Sequence, residues 1–316
     1  MRKLRSCTLV VALTVAGCSR APRAPVSIDP ELAALAPADT VTLAGLRLEV
    51  LRGTPLWQKW VVGKKVAPLD ELARETGLDL RKDVSEALLA SNGKDGVVLA
   101  RGKFARAELE AGLERRGGKR MPHKGATLVG NEEAAVAILS ASVAVAGPAP
   151  LVRTIIDQRG RGGAPKALLA EAKGVAAENQ IWAVSAGMKP ELPKGAELPD
   201  SLANLAKIAE MIEKSSFGAD LRAGLNATGV MACRSEQDAR TLHDALRGII
   251  GLARLSTPDS EPDLLRVWDG IQVSLAERTV RVRVQIAQEL VDKLLGMLPA
   301  GGAAALSPGF QLPRLP

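Results

Sequence analysis

A short segment of the chain occurs twice, and this duplication restricts the architecture more than any other feature. Gly96-Val-Val-Leu-Ala-Arg101 aligns without a gap on Gly229-Val-Met-Ala-Cys-Arg234 at an offset of 133 residues, and Leu109 and Leu113 then fall on Leu242 and Leu246. Each copy is an apolar run followed by leucines four apart, the pattern of a strand leading into a helix. A unit that small cannot bury its apolar face alone. The chain is therefore expected to hold two similar halves, either as separate bodies or across one shared sheet.

The flanking segments also correspond. Asp39 to Leu48 and Gln180 to Gly187 each read as an opening strand followed by a helix. Thr54 with Pro55 is a cap and first-turn pair in the first half, and Asp200 or Ser201 is expected to cap a helix over 202–214 in the second. Further strands are expected over 126–129, 134–139 and 143–146, then over 271–276 and 280–286. Val280-Arg-Val-Arg-Val-Gln-Ile286 alternates with period two, so that strand has one wet face. Each half closes on a helix, 149–159 and 288–298. Strand runs broken by hairpins and interleaved with helices indicate an α+β fold, with two similar halves of antiparallel strands and helices packed on one face. The expected divisions are 39–160 for the first half, 161–178 for a linker or helical connection and 179–298 for the second half. Residues 299–316, rich in Gly, Ala and Pro, are expected to be disordered.

Composition narrows the chemistry. Only 2% of the 316 residues are aromatic, with four Trp, three Phe and no Tyr, so Ala, Val and Leu must fill the core. Two His and three Cys are too few for a zinc cluster or a disulfide scaffold.

The N-terminus is an address. Arg2, Lys3 and Arg5 precede a mostly apolar stretch from Cys7 to Ala16, too short to span a bilayer, and Val15-Ala16-Gly17-Cys18 follows. This arrangement resembles the lipobox signal of bacterial lipoproteins. The resemblance implies removal of residues 1–17, a diacylglycerol group on the Cys18 thiol and usually an acyl chain on its new amino group. With Ser19 rather than Asp after the cysteine, it also implies the outer membrane over the inner, facing the periplasm. Two or more acyl chains, at roughly 0.8 kcal/mol per buried CH₂, hold a protein firmly to a bilayer. Residues 18–38, with several prolines, are expected to form the lipidated Cys and an extended tether. On segments such as Ala38-Asp-Thr-Val-Thr-Leu-Ala-Gly45 and an Ala/Arg/Gly-heavy composition, the body resembles a family of uncharacterised predicted lipoproteins of Gram-negative bacteria. That family carries no activity to transfer.

Processing also removes a charge signal. The formal net charge is +7; the leader carries three basic residues and no acidic one, which leaves 7 − 3 = +4. No nucleic-acid partner is expected, because the basic runs lack interleaved aromatics. Cys233 is then the one thiol left in the body, and its apolar run implies a buried, inert side chain.

No constellation of reactive groups emerges. His123 and His243 stand apart from any ligand at metal spacing. Arg159-Gly-Arg-Gly-Gly-Ala-Pro-Lys166 lacks the Gly-Lys-Ser/Thr end of a P-loop, and Pro165 takes the sixth place of a dinucleotide fingerprint. Ala183-Val-Ser185-Ala-Gly187 resembles a hydrolase nucleophile elbow, with Asp220 and His243 following in order, but Pro190 and Pro193 interrupt the helix that such an elbow requires. Trp57 and Trp60 lie three apart near Lys59, and either fill the aromatic-poor core or rest on lipid headgroups. Arg115, Arg116, Lys119 and Arg120 form the densest basic cluster, either a solvated turn or a contact to anionic headgroups. No cofactor, metal or catalytic residue is expected. The sequence thus suggests a lipid-anchored envelope protein, held to the membrane through Cys18, that acts as a non-enzymatic binding or scaffolding module for an envelope protein partner. The alternative is a carrier of an apolar ligand or lipid.

Overall fold

The computed structural model describes residues 28–62, 67–187 and 210–297. Asp29 opens α1 (Pro30–Leu35) by accepting the N–H groups of Glu31 and Leu32. The first half continues with β1 (Thr42–Arg47), α2 (Leu48–Leu51), α3 (Pro55–Trp60), α4 (Ala67–Thr76), α5 (Leu80–Asp83), β2 (Val84–Ser91), β3 (Gly96–Gly102) and α6 (Arg106–Arg115). It then runs through β4 (Lys119–His123), β5 (Ala126–Gly130), β6 (Ala135–Ser140), β7 (Val143–Gly147) and α7 (Ala149–Gln158). After α8 (Lys166–Ala176), the second half comprises β8 (Ile181–Ser185), β9 (Ile212–Asp220), β10 (Leu225–Cys233), α9 (Glu236–Leu255), α10 (Pro262–Asp269), β11 (Ile271–Ala276), β12 (Thr279–Ile286) and α11 (Gln288–Met297).

The fold is α+β, and its twelve strands form a single antiparallel sheet in the order β11-β12-β10-β9-β8-β1-β2-β3-β7-β6-β5-β4. The duplication explains this order. The run β1-β2-β3-β7-β6 is repeated as β8-β9-β10-β12-β11, and the two runs join through the antiparallel β1–β8 pair. In each run the third strand leads into the repeat helix, α6 or α9, and a hairpin then returns to pair beside that third strand. The first half adds the β4–β5 hairpin where the second has α10.

The sheet's two faces are covered differently. On one, here the α8 face, Leu43, Leu88, Leu99, Val145 and Trp182 pack under α1, α7 and α8. On the other, the α9 face, Val84, Ile138 and Ala144 pack under α2, α3, α5 and α6 in the first half, with α4 seated on α6. In the second half Met231, Val273 and Val280 pack under Leu242 and Leu246 of α9. Each fully buried Leu or Val contributes roughly 1.5–3 kcal/mol. At the joint, Trp182 is 1% exposed and lies against Gly45, where an added Cβ would come within 2.2 Å of the indole. Gly45 is thus a requirement of the β1–β8 seam.

Several expectations need correction. The tether does not extend to residue 38: Ile28, Leu32, Leu35 and Ala36 are buried in the core, because Asp29 and Pro30 start an amphipathic helix where proline content suggested an extended chain. The helix expected over 202–214 cannot reach 214, since 212–220 is β9, held by ladders to both β8 and β10. Its capping residues Asp200 and Ser201 lie outside the described residues, as do 1–17, Cys18 and 299–316. β2 and β4 had no counterpart among the expected strands. Val84-Ser-Glu-Ala-Leu-Leu-Ala-Ser91 has mixed propensity and becomes a strand by pairing between β1 and β3.

Candidate interaction surface

The residues singled out in the sequence do not converge. Trp57 packs into the α9-face core, and Trp60 donates its Nε1–H to Asp292 Oδ1 on α11 at 3.1 Å. Lys59 pairs with the same carboxylate at 2.9 Å, so this tryptophan pair joins α3 to the core and to α11. The basic cluster is drawn inward in the same way. Arg116 pairs with Glu75 at 2.5 Å, and Arg115 donates to the Glu75 carbonyl oxygen at 2.6 Å. Arg120 pairs with Glu110 at 2.8 Å and also with Glu114, tying β4 to α6, while Lys119 is exposed on β4. Beside these pairs lie two open clefts of about 440 and 480 Å³ along α4 and α6, lined in part by Arg74, Thr76, Gly77, Phe104 and Arg115.

The elbow residues are engaged elsewhere. The buried Ser185 hydroxyl shares a 2.9 Å hydrogen bond with Thr42. His243 Nδ1 bonds Asp244 at 2.9 Å, and Asp220 accepts from Arg222 at 2.6 Å and Gln180 at 3.0 Å. His123 pairs with Asp157 at 2.8 Å. Cys233 is buried, and burial, with the Asp238 charge nearby, pushes its thiol pKa up and away from reactivity. Among the described residues no group of His, Cys, Asp and Glu could hold a metal ion.

What the fold does present is a surface. In the second half the α8 face carries no helix over β10, β11 and β12 among the described residues, and the strand register writes its side chains in rows. One row runs Gln272, Arg283, Thr228 and Gly218; the next runs Ser274, Arg281, Val230 and Ser216; a third runs Ala276, Thr279, Ala232 and Lys214. Gln272, Ser274, Arg281, Arg283 and Lys214 are exposed, and among the described residues none of the three cations makes an ion pair. Alternate residues on one strand stand about 7 Å apart, so the two guanidinium groups rise side by side between hydroxyl and amide neighbours. Such a display suits carboxylate or phosphate groups, which arginine meets with paired N–H donors. The sequence signal for this surface was the period-two run 280–286, read as a wet face but not as a site.

The contrast with α7 explains why the surface is open. After β7 the chain crosses onto the α8 face and α7 seals it; after β12 the chain turns the other way, and α11 packs against α3 and α10. Asp292 anchors it there through Lys59 and Trp60.

No family model matches the chain, and no curated protein matches it in sequence. Solved structures do resemble it. Crystal form III of TP0453 superposes with a TM-score of 0.52 at 8% identity, covering 86% of this chain and 99% of that one. Crystal form I gives 0.47 at 10% identity, covering 86% and 98%. At such identities the likeness concerns the fold alone.

Proposed function

We propose that this is a lipid-anchored protein of the cell envelope, on the periplasmic side of the outer membrane, that acts as a non-enzymatic binding or scaffolding module. The observation that carries the reading is the basic face of β10–β12, which no helix covers among the described residues. The backbone of Arg281 and Arg283 is held by the sheet, so little backbone order must be gained on binding an acidic protein surface. The lipobox resemblance at Val15 to Cys18 supports the location. Cys18 is ten residues before the buried Ile28, which limits the reach of the anchor to about 35 Å and keeps the body close to the bilayer.

The test is made in envelopes of cells expressing the full chain. A photo-crosslinker at Gln285 should yield a discrete adduct that disappears in the Arg281→Glu/Arg283→Glu variant. A pattern no different from that of a crosslinker at Glu171, on α8, would refute the reading. Metabolic labelling with an alkynyl fatty acid should mark the wild type and leave Cys18→Ala unmarked.

A second reading, an apolar-ligand carrier, is favoured by one observation. On the α9 face Phe217 is 42% exposed and Gly229 has open space above it. Native mass spectrometry of the mature chain with Cys18→Ser should then retain lipid, and Phe217→Asp should release it.

A further inference from the structure

Among the described residues the sheet ends on two edge strands, β4 and β11, and only β4 carries residues that protect an edge. β4 ends the first half with Lys119, Arg120, Pro122 and His123, the charges and proline that discourage another strand from pairing. β11 ends the second half as Ile271-Gln-Val-Ser-Leu-Ala276, with no charge and no proline.

The ladder to β12 fixes which backbone groups of β11 point outward. Gln285 N–H donates to Gly270 O at 3.0 Å, so the pair 270/285 is hydrogen-bonded, and alternation along the β11–β12 ladder assigns 272, 274 and 276 to β12. Cys233 N–H donating to Arg278 O gives the matching phase on the other side of β12. Ile271, Val273 and Leu275 therefore point their N–H and C=O groups outward.

From this we infer that β11 is the self-association edge of the protein, pairing antiparallel with β11 of a second copy about a two-fold axis at Val273. Ile271 then faces Leu275 of the other copy, and Val273 faces its own equivalent. Every outward backbone group of these three residues gains a partner. Gln272 meets Ser274, so apolar residues stay on the α9 face and polar ones on the α8 face; a shift of one residue would break this match. The like charges on β12, Arg281 and Arg283, are kept three strand spacings apart, about 14 Å, beyond the screening length of about 8 Å. A second observation adjoins the edge. α9 packs on β11, and its last turns expose Ile249 (58%), Leu252 (67%) and Leu255 (81%). Arg254 pairs with Asp269 at 2.8 Å, which holds this apolar strip beside the start of β11. A two-fold at Val273 brings two such strips to one interface, where a lone copy leaves them in water.

The experiment uses the full mature chain with Cys18→Ser. Sedimentation velocity at tens of micromolar should show a dimer. Gln272→Lys/Ser274→Lys, which sets like charges face to face without touching the core, should give a monomer with an unchanged circular dichroism spectrum. Mixing a Gln272→Cys chain with a Ser274→Cys chain should give a mixed disulfide, since those positions face each other as a close, non-hydrogen-bonded pair. A wild type that is monomeric throughout, a dimer indifferent to the lysines, or Gln272→Cys and Ser274→Cys chains that form no mixed disulfide on oxidation would each overturn the inference. A monomeric result would leave the Gln285 crosslinking test unaffected.

Discussion

The two halves of this molecule share a strand order but not an enclosure. In the first half the sheet lies between two layers of helix, α1, α7 and α8 on one side and α2 to α6 on the other. In the second half α8 covers β8 and β9 on the first of these sides, the other described helices keep to the α9 face, and among the described residues nothing covers the α8 face of β10–β12 or the outer edge at β11. The duplicated unit fixes the strand order of both halves. At the open face the difference lies in the routing of the closing helix: α7 crosses to the α8 face after β7, whereas α11 is held on the α9 side by Asp292. A repeat can thus supply a well-buried base from one copy and a presenting surface from the other, because burial already secured in the first copy frees the second from sealing both its faces.

That contrast can be broken most directly at the joint. Trp182→Ala should cost about 3–5 kcal/mol in urea unfolding, since the indole is buried between the halves. Gly45→Val should be similarly damaging, because its side chain would occupy the space of the indole. Leu242→Ala should cost less, about 2–3 kcal/mol, because Leu246 and Met231 beside it are half-buried and can relax into the space. If the order of these effects were reversed, the second half would be the more stable one. Arg281→Glu/Arg283→Glu should change stability by less than about 0.5 kcal/mol, as expected of exposed side chains, while abolishing the Gln285 crosslink. A large loss of stability there would make the open face structural instead of presenting.

The sequence carried much of the fold and little of the surface. Strands with clean alternation, such as 280–286, and helices with a capping residue, such as Thr54 before α3, were legible because local chemistry determines them. β9 and β2 were not, because Ile212-Glu-Lys-Ser-Ser-Phe and Val84-Ser-Glu-Ala become strands only through neighbours on both sides. The buried α1 was hidden by a proline-rich context that suits both a tether and a first helical turn. Arg281 and Arg283 were visible as a wet face, but their prominence depends on where α11 goes, which no local pattern encodes. The cluster 115–120 showed the opposite failure: dense in sequence, it is largely taken up by Glu75, Glu110 and Glu114 in space.

The subtlest prediction concerns the well-enclosed half and is visible only against pH. Glu86 lies on the α8 face between Arg47 and Arg101 in register, and its Oε1 accepts the Asp29 N–H at 3.3 Å. Burial, with the charge of Asp29 added, pushes its pKa up despite the two arginines and that N–H. Asp29 goes the other way: burial raises it, but the hydrogen bonds and charge of Arg101 and the N–H groups of Leu32 and Glu31 outweigh that and hold it below the usual carboxylate range. A raised folded pKa means that the stability Glu86 contributes is present below its unfolded value, near 4.3, and is lost as pH rises through the folded one. A lowered pKa means that the contribution of Asp29 is present above its unfolded value, near 3.9, and is lost as pH falls. Glu86→Gln keeps an acceptor for the Asp29 N–H and removes the buried charge. The variant should therefore unfold at a slightly higher temperature than wild type at pH 7 and at the same temperature near pH 4. Arg101→Met, which unpairs Asp29, should be destabilised at pH 7, with the difference shrinking as pH falls below 4. A Glu86→Gln variant less stable than wild type at pH 7 would show that Arg47 and Arg101 favour the charged carboxylate after all, and that this end of the sheet is held by ion pairs more than by burial.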